Sequence, residues 1–297
     1  MVQTVDNALI QEFRDSVIQI AQQSDSRVRP HVTEVSTSAE FYNWDRLDAT
    51  DAIERDKAVR RQDTQYVDDV WTRRTSTPRV FESTMTFEDF DAAQMAIDPE
   101  SAFTESIGMS MRRAYDDICI DAASGTALVN TDNGTLTPTA LPAGNIIGDG
   151  TINITFDSVT EIQESFMLQE IMPDEPKVAI VTPFQVRKLL QLTEQTNADY
   201  VQTQALQELS ASGIVPNWMG FTWIVSNRLT VPAAGEHYCI FMTKKALGLA
   251  VNMDMKVRIT ENPSVSYQWQ VFYQFAAGCV RVQDEHIRIG HYADAVP

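Results

Sequence analysis

The spacing of hydrophobic residues predicts two amphipathic helices in the first half of the chain. Between residues 5 and 20 the apolar side chains recur at intervals of three or four, as Val5, Leu9, Phe13, Val17 and Ile20. From residue 98 to residue 125 the same spacing places one set of apolar residues on one face, namely Phe103, Ile107, Met111, Ala114, Ile118 and Ala122. This recurrence is typical of helices that bury one side.

The second helix has clear signals at both ends. Asp98 is a favourable N-cap, and Pro99 suits the first helical position, where its missing N–H would have no partner. Ser124-Gly125 is a plausible stop. A helix of this length spans about 39 Å. Two arginine–aspartate pairs on its polar side have the i, i+4 spacing of ion pairs: Arg112 with Asp116, and Arg113 with Asp117.

The middle of the chain alternates between helical and strand patterns. Residues 125–150 are rich in Gly, Pro, Thr and Asn, which predicts a loop with a hairpin turn at Asp149-Gly150. Beyond it, hydrophobic spacing and end signals predict a helix, a strand and two further helices, at residues 158–171, 177–181, 182–192 and from about 197. This order indicates a small α/β unit.

The last third of the chain is predicted to be rich in β-strands. The candidates are residues 221–225, 237–243, 255–260, 265–282 and 286–289. In the longest of them Val265, Tyr267, Trp269, Val271, Tyr273 and Phe275 alternate with polar residues. The whole pattern is that of an α+β protein.

Residues 41–80 differ from the rest of the chain in charge. They contain eight acidic and eight basic residues, so the formal charge of −18 comes from the other residues, where 33 acids face 15 bases. Aliphatic residues in this segment occur singly, so it cannot form a core of its own. One interpretation is a solvated linker. The other is an extended arm ordered by ion pairs with neighbouring molecules, because arginine, which favours bidentate pairs, outnumbers lysine there by seven to one.

Composition excludes several classes of protein. A strongly acidic chain with a pI near 4.5 is unlike proteins that bind nucleic acid through a basic stripe. Apolar runs fall short of the roughly 18 residues of a membrane span, and the first twenty residues do not resemble a secretory signal. Three cysteines, Cys119, Cys239 and Cys279, argue for a reducing cytoplasm and against a disulfide framework or a zinc site.

Candidate catalytic residues are sparse, and we expect no enzyme, cofactor or metal. The four histidines, His31, His237, His286 and His291, lack metal-ligand spacing. Asp116, Asp117 and Asp121 could form a carboxylate cluster for Mg²⁺, but beside Arg112 and Arg113 they fit a solvated helix face more simply. Cys119 adjoins the apolar stripe and is predicted to be a core residue rather than a nucleophile.

Short stretches in a fixed order carry a resemblance to a known family. They are Gln62-Asp63-Thr64-Gln65-Tyr66, Thr72-Arg73-Arg74, Met95-Ala96-Ile97-Asp98-Pro99, Met111-Arg112-Arg113-Ala114-Tyr115-Asp116-Asp117, Ala122-Ala123-Ser124-Gly125, Val181-Thr182-Pro183, Ala198-Asp199-Tyr200 and Met219-Gly220-Phe221. Over roughly residues 28–290 the chain resembles the major capsid proteins of tailed bacteriophages, which have the Hong Kong 97-type coat-protein fold.

The resemblance implies a part for each segment. Residues 1–40 would be the N-terminal arm and residues 41–97 the extended E-loop. Residues 98–125 would be the spine helix of the peripheral (P) domain, residues 126–235 the α/β axial (A) domain, and residues 236–297 the β-rich return of the P-domain with the C-terminus. The arm without a core would then have other subunits as its partners, through Arg55, Lys57, Arg60, Arg61, Asp63, Asp68, Asp69, Arg73, Arg74 and Arg79.

The function implied is that of a shell protein, which forms the hexamers and pentamers of an icosahedral phage head around double-stranded DNA. It would enclose the DNA without sequence-specific binding and would have no membrane partner. The implied partners are other copies of the chain, a separate scaffold protein and a portal, with a decoration or cement protein left open. The implied location is the virion capsid, assembled in the host cytoplasm. Two alternatives remain: the shell of a bacterial nanocompartment similar to encapsulin, and an acidic metal-dependent hydrolase built on Asp116, Asp117 and Asp121.

Overall fold

The computed structural model describes residues 23–54, 71–88, 99–130, 135–172, 174–191 and 214–294. The predicted helices at residues 5–20 and from about 197 lie outside these ranges. So do seven of the charged residues proposed for the arm: Arg55, Lys57, Arg60, Arg61, Asp63, Asp68 and Asp69.

The described residues form a mixed α/β protein. Its helices are α1 Pro99–Ser124, α2 Phe156–Met167 and α3 Pro183–Gln191. Its first seven strands are β1 Thr33–Ser36, β2 Tyr42–Leu47, β3 Trp71–Ser76, β4 Arg79–Phe87, β5 Ala127–Asn130, β6 Leu136–Thr139 and β7 Ile146–Ile147. The other seven are β8 Lys177–Val181, β9 Ile214–Trp218, β10 Phe221–Val225, β11 Glu236–Thr243, β12 Leu247–Asn262, β13 Gln268–Arg281 and β14 Ile287–Ala293.

The chain divides into two compact units. The first contains Met1–Asp25, Val80–Ala114 and Asp254–Phe275, and the second contains Ser26–Arg79, Tyr115–Met253 and Ala276–Pro297. In the first unit Phe81 stacks on Phe275, with ring centroids 5.1 Å apart.

A six-stranded sheet in the second unit holds much of its core. The strand order is β7-β14-β11-β8-β10-β9, with β8 parallel to β10 and antiparallel to β11. The central strand β8, predicted from its apolar run, is buried at all five positions. Phe221, Trp223 and Phe241 meet edge-to-face on this sheet, and Phe166 of α2 packs against Phe221. Aromatic pairs of this kind add to the stability that burial provides.

A four-stranded sheet of order β2-β3-β5-β6 also lies in the second unit. Its strands β5 and β6 lie within residues 125–150, and so does β7 of the six-stranded sheet. The prediction that these residues form a loop is therefore wrong. The Gly, Pro, Thr and Asn residues do interrupt regular structure in this segment. The strands between them are too short to show a clear alternation of apolar and polar residues, so the sequence does not predict them. Asp149-Gly150 lies between β7 and α2 instead of in a hairpin turn. Gly150 has φ +77°, and a Cβ there would lie 2.6 Å from His291 Nε2, so glycine is required.

The two longest strands differ in extent from their predictions, since one is longer and the other shorter. The predicted strand at 255–260 is part of the 16-residue β12, and the one at 265–282 begins at Gln268, after a turn in which Ser266 and Tyr267 have positive φ. The third sheet has the order β1-β12-β13-β4, with β1 parallel to β12.

The predicted long helix is confirmed as α1, with 26 residues. Ile107, Met111 and Ile118 are buried as expected, and so are Tyr115 and Cys119. At α2, Thr155 and Ser158 form a reciprocal capping box, so the helix begins at Phe156. Each of these helices therefore follows local end signals in the sequence.

Candidate assembly site: the base of the charged arm

The strands β2 and β3 form the described base of the predicted arm. They pair antiparallel, with Asp45 opposite Arg73 and Trp44 opposite Arg74. Because successive side chains of a strand point to opposite faces, the neighbouring residues Arg73 and Arg74 point in opposite directions. Arg73 is exposed and Arg74 is buried.

The exposed face carries a bidentate ion pair between the two strands. Arg73 Nε lies 2.5 Å from Asp45 Oδ1, and Arg73 Nη2 lies 3.1 Å from Asp45 Oδ2. The hydrogen bond from Arg73 lowers the pKa of the Asp45 carboxyl group. Nearly half of each side chain remains exposed, at 48% and 47%. Solvent therefore screens this pair, and its charges are open to another molecule.

The buried face carries a cluster that we call the arginine hub: Arg74, Arg281 and Asp284. Arg74 donates two parallel hydrogen bonds to the Asp284 carboxylate, at 2.8 and 2.6 Å, and a third to the carbonyl oxygen of Arg281 at 2.9 Å. Arg281 Nε donates to Asp284 Oδ1 at 2.5 Å, and the Arg281 side chain has no exposed area. One carboxylate thus faces two arginines where water has little access.

The hub also ties the arm to distant parts of the second unit. Arg281 donates to the carbonyl oxygens of Gly125, just past α1, and of Thr139 in β6, at 2.5 and 3.2 Å. Asn145 Nδ2 donates to the carbonyl oxygen of Asp284 at 2.5 Å. Geometry of this kind is needed for a buried ion pair to offset its loss of hydration.

The charges in the hub shift one another's pKa. Burial alone would raise the pKa of Asp284, but hydrogen bonds from Arg74 and Arg281, together with their charges, outweigh burial and lower it. Burial lowers the pKa of Arg281, against the opposing effect of Asp284. Asp284 is therefore held as a carboxylate by its two partners.

An arginine of β2 strengthens the connection. Arg46 donates to both carboxylate oxygens of Glu285, at 3.1 and 3.0 Å, and to Asp48 at 3.3 Å. Residues 284 and 285 thus hold both strands of the arm base. Sequence reasoning missed Arg281, Asp284 and Glu285, because they lie more than 200 positions from their partners in the arm base and no local pattern connects them with those strands.

Three of the ten residues proposed for contacts between subunits lie in the described ranges. Arg73 and Arg74 have the partners given above within the chain, and Arg79 is exposed at the start of β4. Their role toward other subunits stays a prediction, as does that of the seven residues outside the described ranges.

The proposed carboxylate cluster on α1 has a different use. Asp116 is buried, contrary to the prediction of a solvated face, and accepts hydrogen bonds from Ser26 Oγ at 2.5 Å and from the backbone N–H groups of Arg27 and Val28 at 3.0 Å. Asp117 forms an ion pair with Arg228. Asp121 is exposed. Within the described ranges no group of three or more His, Cys, Asp or Glu residues is placed to hold a metal ion.

Comparison with known proteins identifies this architecture. The family model described as phage capsid protein matches residues 5–293. The chain belongs to the phage capsid protein family. No curated protein matches the sequence.

Solved capsid structures share the fold of this phage capsid protein over almost its whole length. The capsid of cyanophage P-SCSP1u aligns with a TM-score of 0.73 and 17% identity, covering 99% of this chain and 96% of that chain. The capsid of Ralstonia phage GP4 gives a TM-score of 0.71 at 11% identity, covering 100% and 99%. The capsid of a native GTA particle gives 0.68 at 12% identity, covering 97% of both chains.

The prediction of a phage major capsid protein is therefore confirmed, and the nanocompartment and hydrolase alternatives are not favoured. Capsid proteins of this family and fold are structural proteins, so an enzyme is not expected. Among the described helices none is long and apolar enough to cross a membrane.

Proposed function

We propose that this phage capsid protein assembles as hexamers and pentamers into the icosahedral head of a tailed phage, enclosing double-stranded DNA without sequence-specific contacts. The observation that carries the proposal is the agreement in fold with tailed-phage capsids over 99% of the chain. The acidic net charge supports it, because a head protein that bound phosphates tightly would hinder the movement of packaged DNA.

Hong Kong 97-type parts are proposed for the segments. Residues 1–40 are the N-terminal arm, 41–97 the E-loop, and 98–125 the spine of the P-domain. Residues 126–235 are the A-domain and 236–297 the return and C-terminus.

Hydrogen bonding supports one refinement of these parts. The strands β11 and β14 belong with the A-domain sheet, because β11 pairs with β8 and β14 pairs with β7.

The charged arm of residues 41–80 is proposed to connect neighbouring subunits. Its base is fixed to its own subunit by the arginine hub. The exposed residues Arg73 and Arg79, together with the basic residues of the arm beyond residue 54, meet acidic groups of neighbouring copies. The excess of acids outside residues 41–80, 33 against 15 bases, supplies partners for them. Repetition over many equivalent contacts lets individually weak pairs contribute to assembly.

The remaining partners are proposals as well. A separate scaffold protein and a portal take part in assembly in the host cytoplasm, a decoration or cement protein remains open, and the product is the virion capsid.

The test expresses the full chain and examines it by electron microscopy and limited trypsin digestion. Assembled particles are expected to resist cleavage between Arg55 and Arg79, and free subunits are expected to be cut there. Equal cleavage of both states would contradict an arm held by neighbouring subunits.

A triple variant tests the arm charges themselves. Arg60→Ala with Arg61→Ala and Arg73→Ala is expected to keep its circular dichroism spectrum and to form few stable heads. The matched control removes three positive charges outside the arm, with Lys244→Ala, Lys245→Ala and Lys256→Ala, all exposed in the subunit. Normal heads from the arm variant that withstand heat and salt would make these arginines solubilising charges only.

A further inference from the structure

Two of the three cysteines are in contact inside the second unit. Cys119 lies on α1 and is fully buried, whereas Cys279 lies on β13 and keeps part of its surface exposed. The Cys279 thiol lies close enough to raise the pKa of the Cys119 thiol. A buried cysteine usually serves as a small apolar residue, but a pair of thiols in contact has chemistry of its own.

The packing of β13 against α1 within the second unit accounts for this contact. Arg281 Nη1 donates to the carbonyl oxygen of Gly125 at 2.5 Å, so the end of the strand lies beside the end of the helix. Residues 279 and 281 share one face of the strand, because alternate side chains point the same way. The Cys279 side chain thus points to the helix.

Both cysteines lie near this contact along their elements. Cys279 comes two residues before Arg281, which is about 7 Å of strand. Cys119 comes six residues before Gly125, which is about 9 Å of helix. The contact is therefore a consequence of the packing of two long elements and not of one side-chain rotamer.

We propose that Cys119 and Cys279 form a disulfide bond within the chain when the protein meets a hydroperoxide, and that the bond locks β13 to α1 in the finished head. The significance for the head rests on the proposed function. The bond itself depends only on the fold.

The reaction has two steps that balance. The thiol of the partly exposed Cys279 releases its proton and its sulfur attacks an oxygen of hydrogen peroxide, so that an S–O bond forms and the O–O bond breaks. The hydroxide that leaves takes up the released proton and becomes water. The Cys119 sulfur then attacks the Cys279 sulfenic acid, the S–S bond forms, and the hydroxyl group leaves with the Cys119 proton as a second water. Two thiols are oxidised and one peroxide is reduced.

The environments of the thiols set their order of reaction. The contact with the Cys279 thiol, and then burial, raise the pKa of the Cys119 thiol well above its usual range, so Cys119 stays protonated and unreactive toward peroxide. Cys239 is fully buried, and burial raises its pKa to about 12. Cys279 is therefore the thiol that the oxidant reaches first, and Cys119 is the thiol that resolves the sulfenic acid.

The bond would join residues 160 positions apart and close a loop that contains much of the second unit. A cross-link that closes a long loop restricts the unfolded chain and raises stability. The sequence shows no disulfide framework, which fits thiols that stay reduced while the protein assembles in a cytoplasm. The disulfide would then form outside the cell, where the environment is oxidising.

The test treats the purified full chain with hydrogen peroxide, blocks remaining thiols, and analyses tryptic peptides by mass spectrometry without reduction. The expected product joins peptides 114–177 and 259–281, is two hydrogens lighter than their sum, and disappears with dithiothreitol. The oxidised protein is expected to unfold at a higher temperature, and dithiothreitol is expected to reverse the shift. Recovery of both cysteines as blocked thiols after oxidation would overturn the proposal.

Two variants keep the assignment falsifiable. With Cys119→Ser, Cys279 is expected to stop at the sulfenic acid, which dimedone traps, and with Cys239→Ser the linked peptides are expected unchanged. A disulfide that contains Cys239, in the wild type or in Cys119→Ser, would contradict the assigned pair. Electron microscopy of the same samples keeps the two proposals apart, because the peptide linkage is measured whether or not the protein has assembled into heads.

Discussion

Two neighbouring arginines at the base of the arm show how differently one residue type is used. Arg73 and Asp45 form an ion pair with about half of each side chain exposed, whereas Arg74 forms one with Asp284 at 7% and 13% exposure. Both pairs are bidentate, so geometry does not separate them. The difference is solvent, which screens the first pair and is largely excluded from the second.

The comparison gives the two faces of the arm base different roles. Removing one partner of a buried pair leaves a charge without compensation, so the hub must stay complete for the arm base to stay in place. Removing a partner of an exposed pair returns the other to water at little cost. The buried face is therefore suited to hold the arm, and the exposed face is suited to meet other molecules.

The largest expected effect comes from Asp284→Ala, which strips both buried arginines of their carboxylate. We expect a loss of about 3–5 kcal/mol in the free energy of unfolding, the usual result of breaking a buried pair. Urea unfolding of the free subunit measures it. The matched control is Asp45→Ala, which removes the same group from Arg73 and is expected to leave the urea midpoint unchanged. Equal losses in the two variants would end the distinction between the faces.

A buried carboxylate with backbone partners sharpens the comparison further. Asp116→Ala removes the acceptor for Ser26, Arg27 and Val28, and we expect a loss of about 1–3 kcal/mol, the cost of leaving buried donors unpaired. Cleavage by trypsin after Arg27 is expected to become faster. Asp116→Asn, which keeps one acceptor oxygen, should lose less. Unchanged cleavage in the alanine variant would show that this carboxylate does not hold the N-terminal segment.

The sequence predicted those parts of the fold that depend on neighbours along the chain. Asp98-Pro99 and Ser124-Gly125 marked α1, and the apolar run at 177–181 marked β8. The hub was not predictable in this way, because Arg73 and Arg74 are identical in type and adjacent, and only the pairing of β3 and the distant Asp284 decides which one is buried. Asp116 was misjudged for the same reason: its partners lie about 90 residues away in a segment without helical or strand pattern.

A smaller expected effect is a change in how the free energy of unfolding depends on pH when Asp284 is replaced. Because the pKa of Asp284 is lower in the folded protein than its ordinary 3.8, its stabilisation is present above that value and is lost as the pH falls through the folded pKa. Below about pH 4, the wild type is expected to lose unfolding free energy more steeply than Asp284→Asn, by at most about 1.4 kcal/mol per pH unit. Chemical unfolding at a series of acidic pH values measures both slopes. Parallel slopes would mean that other carboxylates account for acid unfolding.

The smallest expected effect on the subunit, and the most informative for assembly, comes from exchanging the exposed pair. Arg73→Asp with Asp45→Arg keeps an ion pair between β2 and β3 but reverses the charge that each position presents to solvent. Because solvent screens this pair, the variant is expected to unfold like the wild type. If Arg73 meets an acidic group of a neighbouring subunit, the exchange places like charges together, and fewer particles should appear by electron microscopy and sedimentation. An unchanged particle yield would assign Arg73 to its own hairpin, and the contacts between subunits would then have to come from the arm residues beyond β2 and β3.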